Sequence, residues 1–179
     1  MPSEELWISE SALSQIISLA DHFFPYETGG MLLGYQAENN EAVVTCVIGP
    51  GPKAKHSCTR FVPDAEYQQE KLEDHFRRTD GRETYLGDWH SHPSGTTELS
   101  FLDKRTLARI ASTPSSGTVK PIMAILAGER KSWKLGAARF LRAKRRLVFT
   151  SHDLMLLMPH VYVCAELTSV VPSARLEST

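Results

Sequence analysis

The chain has 179 residues, 41% of them hydrophobic, with 20 Lys and Arg against 21 Asp and Glu. That is enough apolar material for one domain's core, and a net charge of −1 gives no global pull toward nucleic acid or an anionic membrane. Three widely spaced cysteines, Cys46, Cys58 and Cys164, argue against a disulfide framework and fit a reducing compartment.

In chain order, the polar and acidic start from Met1 to Glu5 lacks the basic and apolar regions of a signal peptide. No apolar run approaches the length needed to cross a bilayer, so a cytoplasmic location with no membrane partner is expected. Ser9 caps a helix expected to run to about Phe24, with Leu13, Ile16, Ile17, Ala20 and Phe24 at helical spacing and Pro25 ending it. Glu27 then lies in the turn before a strand from Met31 to Tyr35. Ala42 to Ile48 reads as a Val-rich strand, broken by Gly49-Pro50-Gly51-Pro52. Residues 53–62 read as loop or short strand. His56 and Cys58 stand two apart there, a spacing too generic to hold a metal without two further partners. Pro63-Asp64 opens a helix through about Arg78, and Thr84 to His90 is a strand. Ser100 to Ser112 is a third helix, followed by a loop from Thr113 to Gly117. Ile122 to Ala127 and Trp133 to Leu141 are strands joined by a turn containing Gly128, and Leu147 to Thr150 adds a short strand. Interleaved helices and strands with several short turns imply an α/β (α+β) fold, a mixed sheet with helices packed on it.

The chemistry concentrates in His90-Ser-His92-Pro93. Residues i and i+2 of a strand project to one side, so both imidazoles can reach one ion. Pro93 stops the strand, and Ser100-x-x-Asp103 opens a helix that can return Asp103 to the same spot. Two histidines and a carboxylate leave a fourth position for water, the layout of a hydrolytic zinc site.

This run resembles the signature of the JAMM (MPN+, JAB) metalloproteases: His-x-His-Pro, seven residues from Pro93 to Leu99, then Ser100-x-x-Asp103. Leu99 departs from the Pro that many relatives carry before the serine. The resemblance covers roughly residues 5–140. It implies a single domain over 1–179 with an extension from 141, and a curved mixed β-sheet flanked by helices. It also calls for an upstream glutamate, which Glu27 supplies ahead of Gly29-Gly30. The implied roles are Zn2+ on His90, His92 and Asp103, proton transfer by Glu27, and hydrogen bonding from Ser100 to the forming oxyanion. Zinc lowers the pKa of bound water toward ~7 and polarises a carbonyl, and one oxyanion donor is typically worth ~3 kcal/mol.

The implied activity is a zinc isopeptidase or peptidase cutting after the C-terminal glycine of a ubiquitin-like protein, in precursor processing or deconjugation. A glycine tail can thread a confined groove as an added strand, and the backbone of Thr96 and Thr97 could pair with it. The compact length resembles stand-alone prokaryotic enzymes found beside ubiquitin-like conjugation genes, some of them in anti-phage defence. The expected partners are the ubiquitin-like protein or its conjugate and conjugation-pathway enzymes. The alternatives are a sulfur-carrier-protein peptidase and a non-catalytic MPN scaffold, the latter opposed by the intact five-residue set. A DNA-repair branch of the superfamily would use the basic run Arg142, Lys144, Arg145 and Arg146, which reads more simply as a solvated strand edge. The apolar segment 154–158 is expected to pack on the core.

Overall fold

The structure, a computed structural model, describes residues 4–38, 40–145 and 150–163. Along the chain it forms β1 (Glu5–Ser9), α1 (Glu10–Phe23), β2 (Gly29–Gln36), β3 (Ala42–Ile48), β4 (Lys55–Ser57), β5 (Arg60–Val62), α2 (Ala65–Arg78), β6 (Thr84–Pro93), α3 (Phe101–Ser112), β7 (Ile122–Glu129), β8 (Ser132–Arg145) and β9 (Thr150–Tyr162). Seven strands make one mixed sheet in the order β1-β3-β2-β6-β7-β8-β9, and β9 returns to pair with β1. The curvature expected of the sheet therefore goes far enough to close it. β4 and β5 form a separate hairpin.

Burial follows the strand alternation. On one face Leu6, Ile8, Leu32, Val44, Trp89, Ala124 and Leu126 pack with Ala12, Ile16 and Ala20 of α1. On the other, Leu107 of α3 packs on Met123, Ile125, Ala127 and Phe140. β7 is thus buried on both sides, which explains its unbroken apolar sequence. Each fully buried Leu, Ile, Val, Met or Phe among them contributes about 1.5–3 kcal/mol.

The helices start where their caps direct. The Ser9 hydroxyl accepts from Ala12 N–H, and the Asp64 carboxylate accepts from Tyr67 N–H. β3 and α2 fall where the sequence places them. Other expectations need correction. A strand, β1, precedes the first helix. The β7–β8 turn is not at Gly128, which lies within β7; it turns at Arg130 and Lys131, between the paired Glu129 and Ser132. Asp21 fixes that turn by accepting from Lys131 N–H and Trp133 Nε1–H, both at 2.8 Å, which holds Lys131 at φ 63°. Of the short strand expected at 147–150, residues 147–149 lie outside the described residues. Thr150 begins the 13-residue β9, whose Leu157 and Tyr162 are buried while Leu156 and Met158 face outward. In the basic run, Arg142 pairs with Asp153 across β8 and β9 at 2.9 Å, and Arg146 lies outside the described residues. No helix among the described residues is long and apolar enough to cross a membrane.

Candidate metal centre

β6 carries His90 and His92 on one side of the strand, and Trp89 and Ser91 point into the core. α3 brings Asp103 to the pair. His90 Nε2 lies 3.0 Å from His92 Nε2 and 3.3 Å from Asp103 Oδ1, and His92 Nε2 lies 3.8 Å from Asp103 Oδ2. Two metal–ligand bonds of about 2.0–2.1 Å at the tetrahedral angle end about 3.3 Å apart, so the three side chains fit zinc. The donor chemistry agrees. His92 Nδ1 faces the Thr96 carbonyl at 2.9 Å. A carbonyl only accepts, so that nitrogen carries the proton and Nε2 presents a lone pair to the cluster. Asp103 is held too: its carboxylate accepts from Ser100 N–H at 2.7 Å. Burial opposes ionisation of Asp103, but hydrogen bonds and charge from His90 and the hydrogen bonds from Ser100 outweigh it, leaving the carboxyl below its usual range.

The Ser100 hydroxyl accepts from Asp103 N–H at 3.2 Å, completing a capping box. The same side chain also faces the Asp103 carboxyl, so Ser100 and Asp103 brace each other at the start of α3.

Glu27 arrives by strand pairing. Gly29 lies opposite His90 in the β2–β6 ladder. Ser91 N–H donates to the Thr28 carbonyl at 2.8 Å, and Thr28 N–H donates to Ser91 Oγ at 3.0 Å. Partial burial pushes the Glu27 carboxyl up, His90 opposes this, and Asp103 adds to it, so the group senses two of the three residues that could hold a metal. A side chain at Gly29 would put a Cβ 2.9 Å from that of His90 and 2.5 Å from the Trp89 carbonyl. Only glycine allows β2 so close.

The structure therefore brings together all five residues read from the sequence. It also assigns neighbours that the sequence left open. Ser91 ties down the Glu27 turn, Trp89 Nε1–H donates to the Ile48 carbonyl at 3.2 Å, and Asp88 accepts from the Tyr85 hydroxyl at 2.7 Å. Burial raises the Asp88 carboxyl. The Thr96 carbonyl is engaged by His92, and the Thr97 side chain packs at Gly136. Residues 53–62, read as loop or short strand, form the β4–β5 hairpin, whose place beside Glu27 the sequence did not indicate. His56, weighed in the sequence only as half of a metal pair with Cys58, faces the Glu27 carbonyl. The metal-competent group found among the described residues is His90, His92 and Asp103.

Residues 9–136 match the family described as prokaryotic homologs of the JAB domain. A protein of Sinorhizobium fredii named "probable metalloprotease y4qB" is 34% identical over 145 residues, covering 80% of this chain and 88% of its own. Proteins named "CD-NTase/cGAS isopeptidase" from Escherichia coli and Enterobacter hormaechei are 28% and 30% identical. They cover 63% and 68% of this chain and 68% and 67% of their own. The solution structure of protein DSY2949 from Desulfitobacterium hafniense superimposes with a TM-score of 0.61 at 18% identity, covering 88% of this chain and 93% of that one, a likeness of fold.

Proposed function

From the chain's membership of the prokaryotic JAB family, a family with relatives named metalloprotease and isopeptidase, we propose that this peptidase is a zinc isopeptidase. It cuts after the C-terminal glycine of a ubiquitin-like protein, releasing it from a lysine side chain or a peptide. The observation that carries the reading is the cluster of His90, His92 and Asp103 with the Glu27 turn tied to the same strand. His90, His92 and Asp103 would hold the ion, and zinc in such a site supplies Lewis acidity toward water and the scissile carbonyl. Glu27 takes the proton from the attacking water and passes it to the leaving amine, work for which a raised carboxyl pKa is suited. Ser100 donates its hydroxyl proton to the carbonyl oxygen as charge develops there.

A cleft of about 250 Å3 lies between α2 and the C-terminal half of α3, lined by Met31, Leu72, Tyr85, Arg109 and Ile110. Met31 and Gly29 pair with Asp88 and His90, so the cleft opens on the strand face that carries the cluster. The isopeptidase names of two relatives favour deconjugation over precursor processing. The proposal extends to conjugated proteins and conjugation enzymes as cytoplasmic partners in a defence system.

The test is incubation with ubiquitin-like fusions ending in glycine, with and without a chelator. Cleavage after the glycine is expected, abolished by chelation and restored by zinc. Replacing the terminal glycine by Leu is expected to slow it at least about tenfold, about 1.4 kcal/mol in the barrier. Equal rates would remove the ubiquitin-like restriction. Elemental analysis is expected to give about one zinc per chain, with strong depletion in His92→Ala. Full zinc in that variant would overturn the ligand set.

A further inference from the structure

Glu27 sits outside regular secondary structure, in the segment between α1 and β2. No helix or ladder fixes its backbone. Both of its backbone polar groups instead turn to one strand of the β4–β5 hairpin. Its N–H donates to the Ser57 carbonyl at 2.8 Å, and its carbonyl faces His56 Nδ1 at 2.9 Å. A carbonyl cannot donate, so His56 carries its proton on Nδ1. The imidazole is itself clamped. It stacks on Phe23 at 3.8 Å between centroids and 11° between planes, and lies 5.4 Å from Phe61, its cross-strand partner. Phe61 in turn closes on Gly29, where an added Cβ would meet its Cε1 at 3.0 Å. His56 lies outside the metal-competent group found among the described residues.

We infer that His56 is a positioning residue: donation from Nδ1 to the Glu27 carbonyl sets where the Glu27 carboxylate stands beside His90 and Asp103. The inference rests on the reading of Glu27 as the proton acceptor. Its physical basis is leverage, because a displacement of about 1 Å at a catalytic group can cost on the order of a hundredfold in rate. The Cys58 thiol, exposed at the hairpin tip, has no part in it.

Two variants separate the hydrogen bond from the packing. His56→Phe keeps an aromatic ring between Phe23 and Phe61 but removes the donor. His56→Asn places an amide N–H at the δ position and removes the ring. With the zinc-loaded full chain and a Gly-tailed fusion that it cleaves, His56→Phe is expected to lower kcat about tenfold or more at unchanged KM and full zinc content, and His56→Asn to recover most of that loss. Wild-type kcat in His56→Phe, a rise in KM alone, or equal losses in both variants would each overturn the inference. A substrate-free arm stands beside these. Imidazole 15N shifts of the wild type are expected to show the Nδ1–H tautomer of His56 at about pH 8, and an Nε2–H tautomer would sink the clamp whatever the enzyme cuts. Turnover surviving in Glu27→Gln would instead overturn the reading of Glu27, and the tautomer result would then stand for the clamp alone.

Discussion

Holding Glu27 half-buried beside His90 and Asp103 carries a stability cost that pH exposes. Desolvation raises its folded-state carboxyl above the ordinary value of about 4.3, so the folded chain keeps that proton to higher pH than the unfolded chain does. The associated stability is fully present below the unfolded value and is lost as pH rises through the raised one. Metal-free Glu27→Gln, which keeps the shape without the charge, is therefore expected to melt above the metal-free wild type at about pH 7, the two converging below about pH 4. Equal melting at both would show that the site stores no such cost. Gly29 is constrained differently. An added methyl there meets the Trp89 carbonyl at 2.5 Å and the His90 Cβ at 2.9 Å, so something must shift. Gly29→Ala is expected to lose about 1–3 kcal/mol in denaturant unfolding and to weaken zinc binding through His90. An unchanged zinc affinity would show that the strand, not the ligand, yields.

Ser100 illustrates how one side chain serves both an element and the chemistry. It is the N-cap of α3, and in the proposed reaction its hydroxyl also donates to the forming oxyanion. Replacing an N-cap serine by Ala costs about 1 kcal/mol, but by Gly only a few tenths. Ser100→Ala and Ser100→Gly are therefore expected to differ in melting temperature yet lose kcat alike, on the order of a hundredfold for a lost oxyanion donor. If Ser100→Gly kept its rate, the hydroxyl would be a cap and nothing more. The same dual character made α3 legible in the sequence, since Ser100-x-x-Asp103 is a capping pattern whatever else it does. β3 was legible because a Val-rich run meets Gly-Pro-Gly-Pro, and α2 because Pro63-Asp64 opens it. β1 was not. Glu5–Ser9 has five residues, only Leu6, Ile8 and Ser9 of them buried, directly abutting the helix start, and nothing local separates it from that helix. The β4–β5 hairpin has three residues per strand with only the middle one half-buried, too short for a period to emerge. Its place at Glu27 depends on tertiary contact alone. So does the link between Glu27 and the histidines, which joins Thr28 to Ser91 across 63 positions; in the sequence only the family resemblance bridged that gap.

Closure of the sheet is a property of the whole chain, and no local pattern announces it. β9 lies between β8 and β1, pairing antiparallel with one and parallel with the other. Without it, β1 would keep only its short pairing with β3, and β8 would expose a long unpaired edge of the kind that seeds aggregation. The alternation of β9 sets which of its residues matter. Leu157 is 5% exposed within the core cluster, and its neighbour Leu156 is 78% exposed on the outer face. Leu157→Ala is expected to cost about 2–5 kcal/mol in denaturant unfolding, and Leu156→Ala close to nothing. β6, which bears His90 and His92, lies three strands from β9 in the sheet order by way of β7 and β8. Zinc content and kcat per folded molecule should therefore be unchanged in both variants under conditions where Leu157→Ala remains folded. Chemical denaturation paired with elemental analysis and single-turnover rates checks this. A loss of zinc from folded Leu157→Ala would mean that the seam and the metal centre are coupled through the strands between them, and a large cost for Leu156→Ala would mean that the outer face of β9 is covered by a second protein surface in solution.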